Sequence, residues 1–544
     1  MALVWATGMD GMKRARISAL AAFVAAAAMM PGHAAGYSVD EKSIAQLQAD
    51  LAAGRVTSVE LVEAYQARIR DLDRAGPKLQ SVIAINPDAL AEARAADKAR
   101  GANKARGPLF GIPLLVKDNI ESKDPMPTTA GSLALIDNVT HRDAPVVARL
   151  RAAGAIILGK TNLSEWANIR STHSISGWSA VGGLTKNPYS LDRNACGSSA
   201  GTGTAVAASL AAAGLGTETD GSVTCPSSID GIVGIKPTVG LVPRTDIVPI
   251  SASQDTAGPM GRSVADVAAL LTVMAGSDPS DPATGDADKH KVDYAAALRT
   301  ASLKGVRLGV IHIAGSSDPI DNDVLAAAVA ALKKQGAIVV ELAPVTVPDK
   351  VGNAELHVLL TELKAGLNAY LATTPRTVKT RTLADVIAFD RRTPRELSIF
   401  DQDLFDQAEA TKGLDDPTYV KDHDGNIAFA RKTLDKLMAD HHLDALITPT
   451  TLPSWRIDVV RGERDAGESA SLPAIAGYPH LTVPMGYVKG LPVGISFIGP
   501  AWSEARLLQY GYVYEQAAHA RVAPKFIPSM ETTPAMQNAF APYK

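Results

Sequence analysis

Apolar residues recur along this chain in two rhythms. Short β-rich runs bounded by Gly, Pro, Asn or Asp predict buried strands, and longer stretches with apolar residues three to four positions apart predict helices. A capping box in Ser38-Val39-Asp40-Glu41 precedes an apolar face of Ile44, Leu47 and Leu51, and Thr57-Ser58-Val59-Glu60 opens a second helix with Leu61, Tyr65 and Ile69 in register. Val82-Ile83-Ala84-Ile85 reads as a strand ended by Asn86-Pro87, with an Ala-rich helix to about Arg100. Pro113-Leu114-Leu115-Val116 predicts a buried strand that delivers Lys117 at its tip, and residues 155–158 predict another. Residues 204–213, rich in Ala and free of Gly and Pro, predict a buried helix.

The second half continues the alternation. A helix opens at Ser263, residues 276–290 read as a polar surface loop, and residues 306–313, 323–335 and 338–342 form a strand-helix-strand unit suited to a parallel pair. Leu356, Leu359, Leu360 and Leu363 begin a helical region spanning about 351–440. Strands at 445–450, 481–484 and 491–499 precede a closing helix, Glu504 to Ala518, and no internal repeat is visible. This alternation predicts one large α/β domain over 36–544, with a mixed central β-sheet covered by helices on both faces.

Residues 1–35 follow a different pattern. Lys13, Arg14 and Arg16 precede a short apolar core and then Pro31-Gly32-His33-Ala34-Ala35, which predicts a signal peptide cleaved after Ala34 or Ala35, with Met9 or Met12 as alternative initiators. The expected location is therefore periplasmic or secreted, with no stable membrane span after processing; an uncleaved anchor is the competing reading. The 544 residues are 46% hydrophobic and 20% charged with a net charge of −3, enough for a large core and poorly suited to a polyanion partner. No nucleic-acid partner is expected. Cys196 and Cys225 are the two cysteines; two buried thiols are the simpler reading and a disulfide the alternative. With His441 and His442 adjacent and no paired-cysteine spacing, neither a metal site nor a cofactor is expected.

Three short patterns suggest chemistry. Gly154 to Thr161 satisfies G-x-x-x-x-G-K-[ST], but its middle is an apolar strand whose N–H groups are spent on pairing, so a phosphate cradle is disfavoured. Gly197-Ser198-Ser199-Ala200-Gly201 satisfies G-x-S-x-G with Ser199 as nucleophile, although the preceding Ser190 to Asn194 is polar where an elbow needs an apolar strand. The third pattern joins that cluster to Gly216-Thr217-Glu218-Thr219-Asp220-Gly221-Ser222, two small-residue turns able to approach a ligand through backbone N–H groups.

Lys117 in GIPLLVKDNI, Ser198 in the first turn and Ser222, 24 residues later, together resemble the amidase signature family, from about Ser58 to the C-terminal region. The SEWAN segment after Thr161 and the TETDGS form of the second turn are closest to bacterial peptide amidases. The resemblance implies the amidase signature fold and a Ser-Ser-Lys triad: Ser222 as nucleophile, Ser198 as relay and Lys117 as base, its pKa lowered by burial. It further implies a cis Gly197-Ser198 bond, an oxyanion hole from the N–H groups of Thr219, Asp220, Gly221 and Ser222, and supporting roles for Ser199 and Thr217. The 351–440 region would form one wall of the cleft, residues 128–132 a loop along it, and residues 253–260 would pack beneath the site. Cys196, Ala200 and Asp220 stand where many relatives have Gly, which bears on subfamily.

The implied reaction is hydrolysis of a carboxamide C–N bond through an acyl-enzyme, with the C-terminal amide of a peptide as substrate. Alternatives are a general aliphatic or aryl amidase of the same family, an esterase using Ser199, and a non-catalytic exported binding protein. A transamidase component acting on charged tRNA is also homologous, but the leader and the absence of a basic surface disfavour it.

Overall fold

The apolar runs pair into one continuous sheet in the computed structural model, which describes residues 37–312, 322–463 and 469–542. Its strands are β1 (Val82–Ile85), β2 (Pro113–Lys117), β3 (Ile156–Thr161), β4 (Ala213–Glu218), β5 (Val233–Lys236), β6 (Thr256–Gly261), β7 (Arg307–Val310), β8 (Ile338–Glu341), β9 (Ala445–Pro449), β10 (His480–Val488) and β11 (Leu491–Ile498). They lie in the order β1-β3-β2-β4-β6-β5-β10-β11-β9-β7-β8. Parallel pairing joins β3, β2 and β4 on one side and β9, β7 and β8 on the other, with antiparallel strands between. Every residue of β2, β3 and β4 is buried, the apolar or small residues of their first halves as expected of strands covered on both faces, and the polar ends Lys117, Lys160, Thr161, Thr217 and Glu218 with them. The fold is the expected mixed sheet flanked by helices, and the residues from Val39 onward form one compact unit.

Because β2 and β4 are parallel neighbours, with Leu114 opposite Ala213 and Val116 opposite Leu215, their C-terminal ends open on the same edge of the sheet. That edge is where loops leave the strands and where α/β sheets place their ligands.

Several elements shift from the sequence expectation for identifiable reasons. The first helix is Ile44–Ala52 and its capping box is Ser43 with Gln46; Asp40 and Glu41 form a turn instead, with the Glu41 N–H donated to the Ser209 hydroxyl. The helix expected over 204–213 is Ala200–Ala207. Ser209 takes a positive φ, the Ala212 N–H is donated to the Pro113 carbonyl, and Ala213 already pairs in β4, so sheet pairing overrides the helix preference of the last alanines. Residues 276–290 contain the helical turns Pro282–Asp286 and Ala287–His290. The strand-helix-strand unit is present, with a parallel β7–β8 pair.

The helical region comprises Asp349–Thr373, Leu383–Arg392, Asp403–Glu409 and Pro417–Asp440. Leu359, Leu360, Leu363 and Leu367 pack with Leu135, Trp166 and Ile250, which fixes the first of these helices over the strand-end loops. The expected signal peptide and its cleavage site lie outside the described residues. Among the described residues no helix is long and apolar enough to cross a membrane.

Gly201, at the start of Ala200–Ala207, sits against β3's exit: a Cβ there would lie 2.4 Å from both the Asn162 and the Ser81 carbonyl oxygens. Gly201→Ala is therefore expected to cost about 1–3 kcal/mol through overpacking, read as a lowered unfolding midpoint; a midpoint equal to wild type would contradict this packing.

Candidate active site

Lys117 ends β2 fully buried. Its Nζ lies 2.7 Å from Ser198 Oγ, 2.8 Å from Thr217 Oγ1 and 3.3 Å from the Thr217 carbonyl oxygen. Asn119 Nδ2 donates to the same Thr217 hydroxyl at 3.0 Å. Among the described residues Lys117 makes no ion pair, and burial lowers its pKa to about 7 against the opposing pull of the Asp255 and Glu218 carboxylates. A neutral amine has two N–H groups and one lone pair. The two Thr217 oxygens can take the N–H groups, which leaves the lone pair for the Ser198 hydroxyl proton.

The first serine turn is held from several sides. The Gly197-Ser198 peptide is cis. The Ser198 carbonyl accepts the Ser164 N–H at 3.0 Å, and a Cβ on Gly197 would lie 2.1 Å from Ser164 Oγ, so any larger residue there must displace that hydroxyl. Ser199 is occupied with β4: its hydroxyl donates to the Thr217 carbonyl at 3.1 Å and accepts the Thr217 N–H at 3.2 Å. The Ser199 N–H donates to the Ser222 carbonyl at 3.1 Å, which ties the second turn to the first. Ser222 lines the cleft, and among the described residues its hydroxyl makes no hydrogen bond.

The turn from Thr219 to Ser222 is shaped by Glu218, the last residue of β4. Its buried carboxylate accepts the N–H groups of Val223 and Thr224 at 2.7 and 2.8 Å, bending the chain back, and Gly221 supplies the φ of 78° this bend needs. The Thr219 hydroxyl donates to Asp255 at 2.6 Å, and that carboxylate also accepts the N–H groups of Ile250 and Ser251. None of the N–H groups of Thr219, Asp220, Gly221 and Ser222 is spent on an acceptor among the described residues. Four unspent donors beside a serine can bind an oxyanion.

Cys196 and Cys225 are disulfide-bonded, which overturns the expectation of two thiols. They flank the two serine turns, and the fold that brings Ser199 to Ser222 sets their Cα atoms 6.1 Å apart. The cleft above is bounded by apolar Ile169, Ile250, Leu359 and Trp455 and by two carboxyls, Asp220 and Glu463. Leu359 places the helical region on its wall.

The two competing motifs find other employment. Lys160 is buried, bonded to the Thr128 hydroxyl and the Ile120 carbonyl, and the N–H groups of residues 156–161 belong to the sheet. Among the described histidines none bonds Ser199: His480 Nε2 contacts Ser496, His357 pairs with Asp422 and His312 with Glu341. Among the described residues His173, Asp401 and Asp403 could bring three metal-ligating atoms together, but none of them lines the cleft, and the two carboxylates are engaged by Ser171 and Thr172.

Sequence reasoning missed Asn119, Glu218 and Glu355, and gave Gln254 and Asp255 only a general place beneath the site. Asn119 and Glu218 sit inside the motifs and could have been flagged by adjacency. Glu355 meets the turn only through the fold.

A sequence model of the family described as Amidase matches residues 60–508. The chain is 40% identical over 90% of its length to a protein of Arabidopsis thaliana described as a probable amidase, covering 93% of that protein. It is 37% identical over 87% of its length to a putative amidase of Arthroderma benhamiae, covering 81% of that protein. Among solved structures, the native peptide amidase of Stenotrophomonas maltophilia superposes with a TM-score of 0.83 at 48% identity, over 90% of this chain and 99% of that one. The chain belongs to the amidase signature family and is an enzyme that hydrolyses amide C–N bonds.

Proposed function

We propose that the chain hydrolyses the C-terminal amide of peptides through an acyl-enzyme on Ser222. The Ser222 oxygen attacks the carboxamide carbon while its proton passes to the Ser198 oxygen, a contact that forms with substrate bound, and the Ser198 proton to the Lys117 amine. The resulting oxyanion is met by the N–H groups of Thr219, Asp220, Gly221 and Ser222, each worth about 3 kcal/mol of transition-state stabilisation. As the C–N bond breaks, the proton held on Lys117 returns through Ser198 to the leaving nitrogen, releasing ammonia. Water then attacks the ester carbon by the same route in reverse, which frees the acid and restores the Ser222 hydroxyl. The observation that carries this reading is the buried Lys117 Nζ at 2.7 Å from Ser198 Oγ, with no ion-pair partner among the described residues.

The peptide-amide substrate is supported by the likeness to a solved peptide amidase and by the cleft lining, which includes Asp220 and Glu463 and neither Lys nor Arg. Such a lining tolerates a neutral carboxamide and repels the carboxylate product. Export is supported by the basic head and small-residue end of residues 13–35, and by a disulfide suited to an oxidising compartment.

Base catalysis by Lys117 needs the neutral amine, so kcat/KM on an amidated peptide should rise as pH increases through about 7. Ser222→Ala and Lys117→Ala should each lose about a thousandfold or more; an active Ser222→Ala variant would contradict the assignment. In a mass-spectrometric panel, peptide amides should turn over faster than free glutamine and simple aliphatic or aryl amides, and the opposite ranking would discard the substrate. Sequencing of the chain recovered from the periplasm or medium should begin at Ala35 or Gly36; an intact leader on a cytosolic protein would rule out export.

A further inference from the structure

A half-buried and a buried carboxyl lie beside the turn that presents the N–H donors. One is Asp220, inside the turn; the other is Glu355, on the helix Asp349–Thr373. Asp220 Oδ2 accepts the Ser471 hydroxyl at 2.8 Å. Its Oδ1 is buried, and among the described residues no N–H or alcohol hydroxyl reaches it. Asp220 and Glu355 are near enough to influence each other's ionisation, and the Asp220 charge raises the pKa of Glu355. Two neighbouring carboxyls resist being charged together, so the pair favours retaining one proton.

Glu355 also grips the turn by a hydrogen-bonded route. Its Oε1 accepts the Gln254 Nε2 amide at 2.9 Å, and that amide donates to the Thr219 carbonyl at 3.3 Å. One buried carboxyl thereby reaches the Thr219 carbonyl through Gln254 and neighbours the Asp220 side chain. The Thr219 carbonyl belongs to the peptide unit whose N–H is that of Asp220, so fixing the one orients the other.

We propose that Glu355, through Gln254 and the Thr219 carbonyl, is a positioning residue that holds the Thr219–Ser222 turn with its N–H groups aimed into the cleft. The inference deepens the amidase reading and rests on it. Glu355 lies where burial and the neighbouring Asp220 charge both hold its carboxyl well above the ordinary carboxylate range, and burial raises Asp220 to about 6. The other charged groups facing the pair are Glu218 on β4, which opposes ionisation of Asp220, and Lys236 on β5, which favours it. Loss of that one proton sets two carboxylates against each other beside the turn. Activity should then decline on the alkaline side, separately from the rise that follows Lys117.

The test is hydrolysis of an amidated peptide by the full chain, with kcat and KM followed from about pH 6 to about pH 10 in wild type, Glu355→Gln and Glu355→Leu. Gln can donate to Asp220 and accept from Gln254 without titrating. Glu355→Gln should keep kcat within about threefold of wild type and extend activity beyond the wild-type alkaline limb, whereas Glu355→Leu should lose about tenfold or more in kcat with little change in KM. A Leu variant with wild-type kcat, or an alkaline limb identical in wild type and Glu355→Gln, overturns the inference while leaving the amidase reading intact. If Glu355→Leu does not fold, the two pH profiles decide alone. A wild type inactive on every amide removes both readings together.

Discussion

A lysine amine buried with no carboxylate bonded to it among the described residues is the constraint around which this molecule is arranged. Burial disfavours its charged form, so the fold must surround Nζ with groups that suit a neutral amine. It does so with hydroxyl and carbonyl oxygens from Ser198 and Thr217, while the carboxylates that act on it from a distance, Asp255 and Glu218, are engaged by backbone N–H groups and the Thr219 hydroxyl. Had either carboxylate bonded Nζ directly, the ammonium would be stabilised and the lone pair lost. The buried strands β2 and β4 make the arrangement possible, because parallel neighbours deliver Lys117 and the Glu218 turn to one edge of the sheet.

The same edge shows how an exposed function is built from unexposed parts. Ser199, Thr217, Glu218 and Asp255 hold backbone and side chains in place, and the disulfide between Cys196 and Cys225 ties the flanks of the two serine turns. Left without bonds among the described residues are the Ser222 hydroxyl and the N–H groups before it, at a cleft with apolar walls. The helical region contributes through Leu359 on the wall and Glu355 behind the turn, so it shapes the site as well as covering the loops.

Much of this was legible in the sequence because it is local. The run PLLVK reads as a buried strand with a lysine at its tip, and the Thr57–Glu60 box and the Glu504–Ala518 helix are carried by their own residues. Local preference failed where the sheet claimed the chain. The alanines before Gly214 favour helix, yet pairing with β2 and β6 turns Ala213 into strand. The disulfide and the Asp220–Glu355 proximity were hidden for a different reason: each depends on a distance between segments remote in sequence. Resemblance assigned the proposed roles of Lys117, Ser198 and Ser222; it could not supply the reason the Lys117 pKa is lowered, which lies in its burial.

The central claim concerns the protonation state of one amine. The most direct measurement is a nitrogen NMR titration of the lysine side chains, with Lys117→Ala used to assign the signal. The account predicts that Lys117 titrates near 7; a Lys117 that holds its proton up to about 10, like a lysine in water, would contradict it.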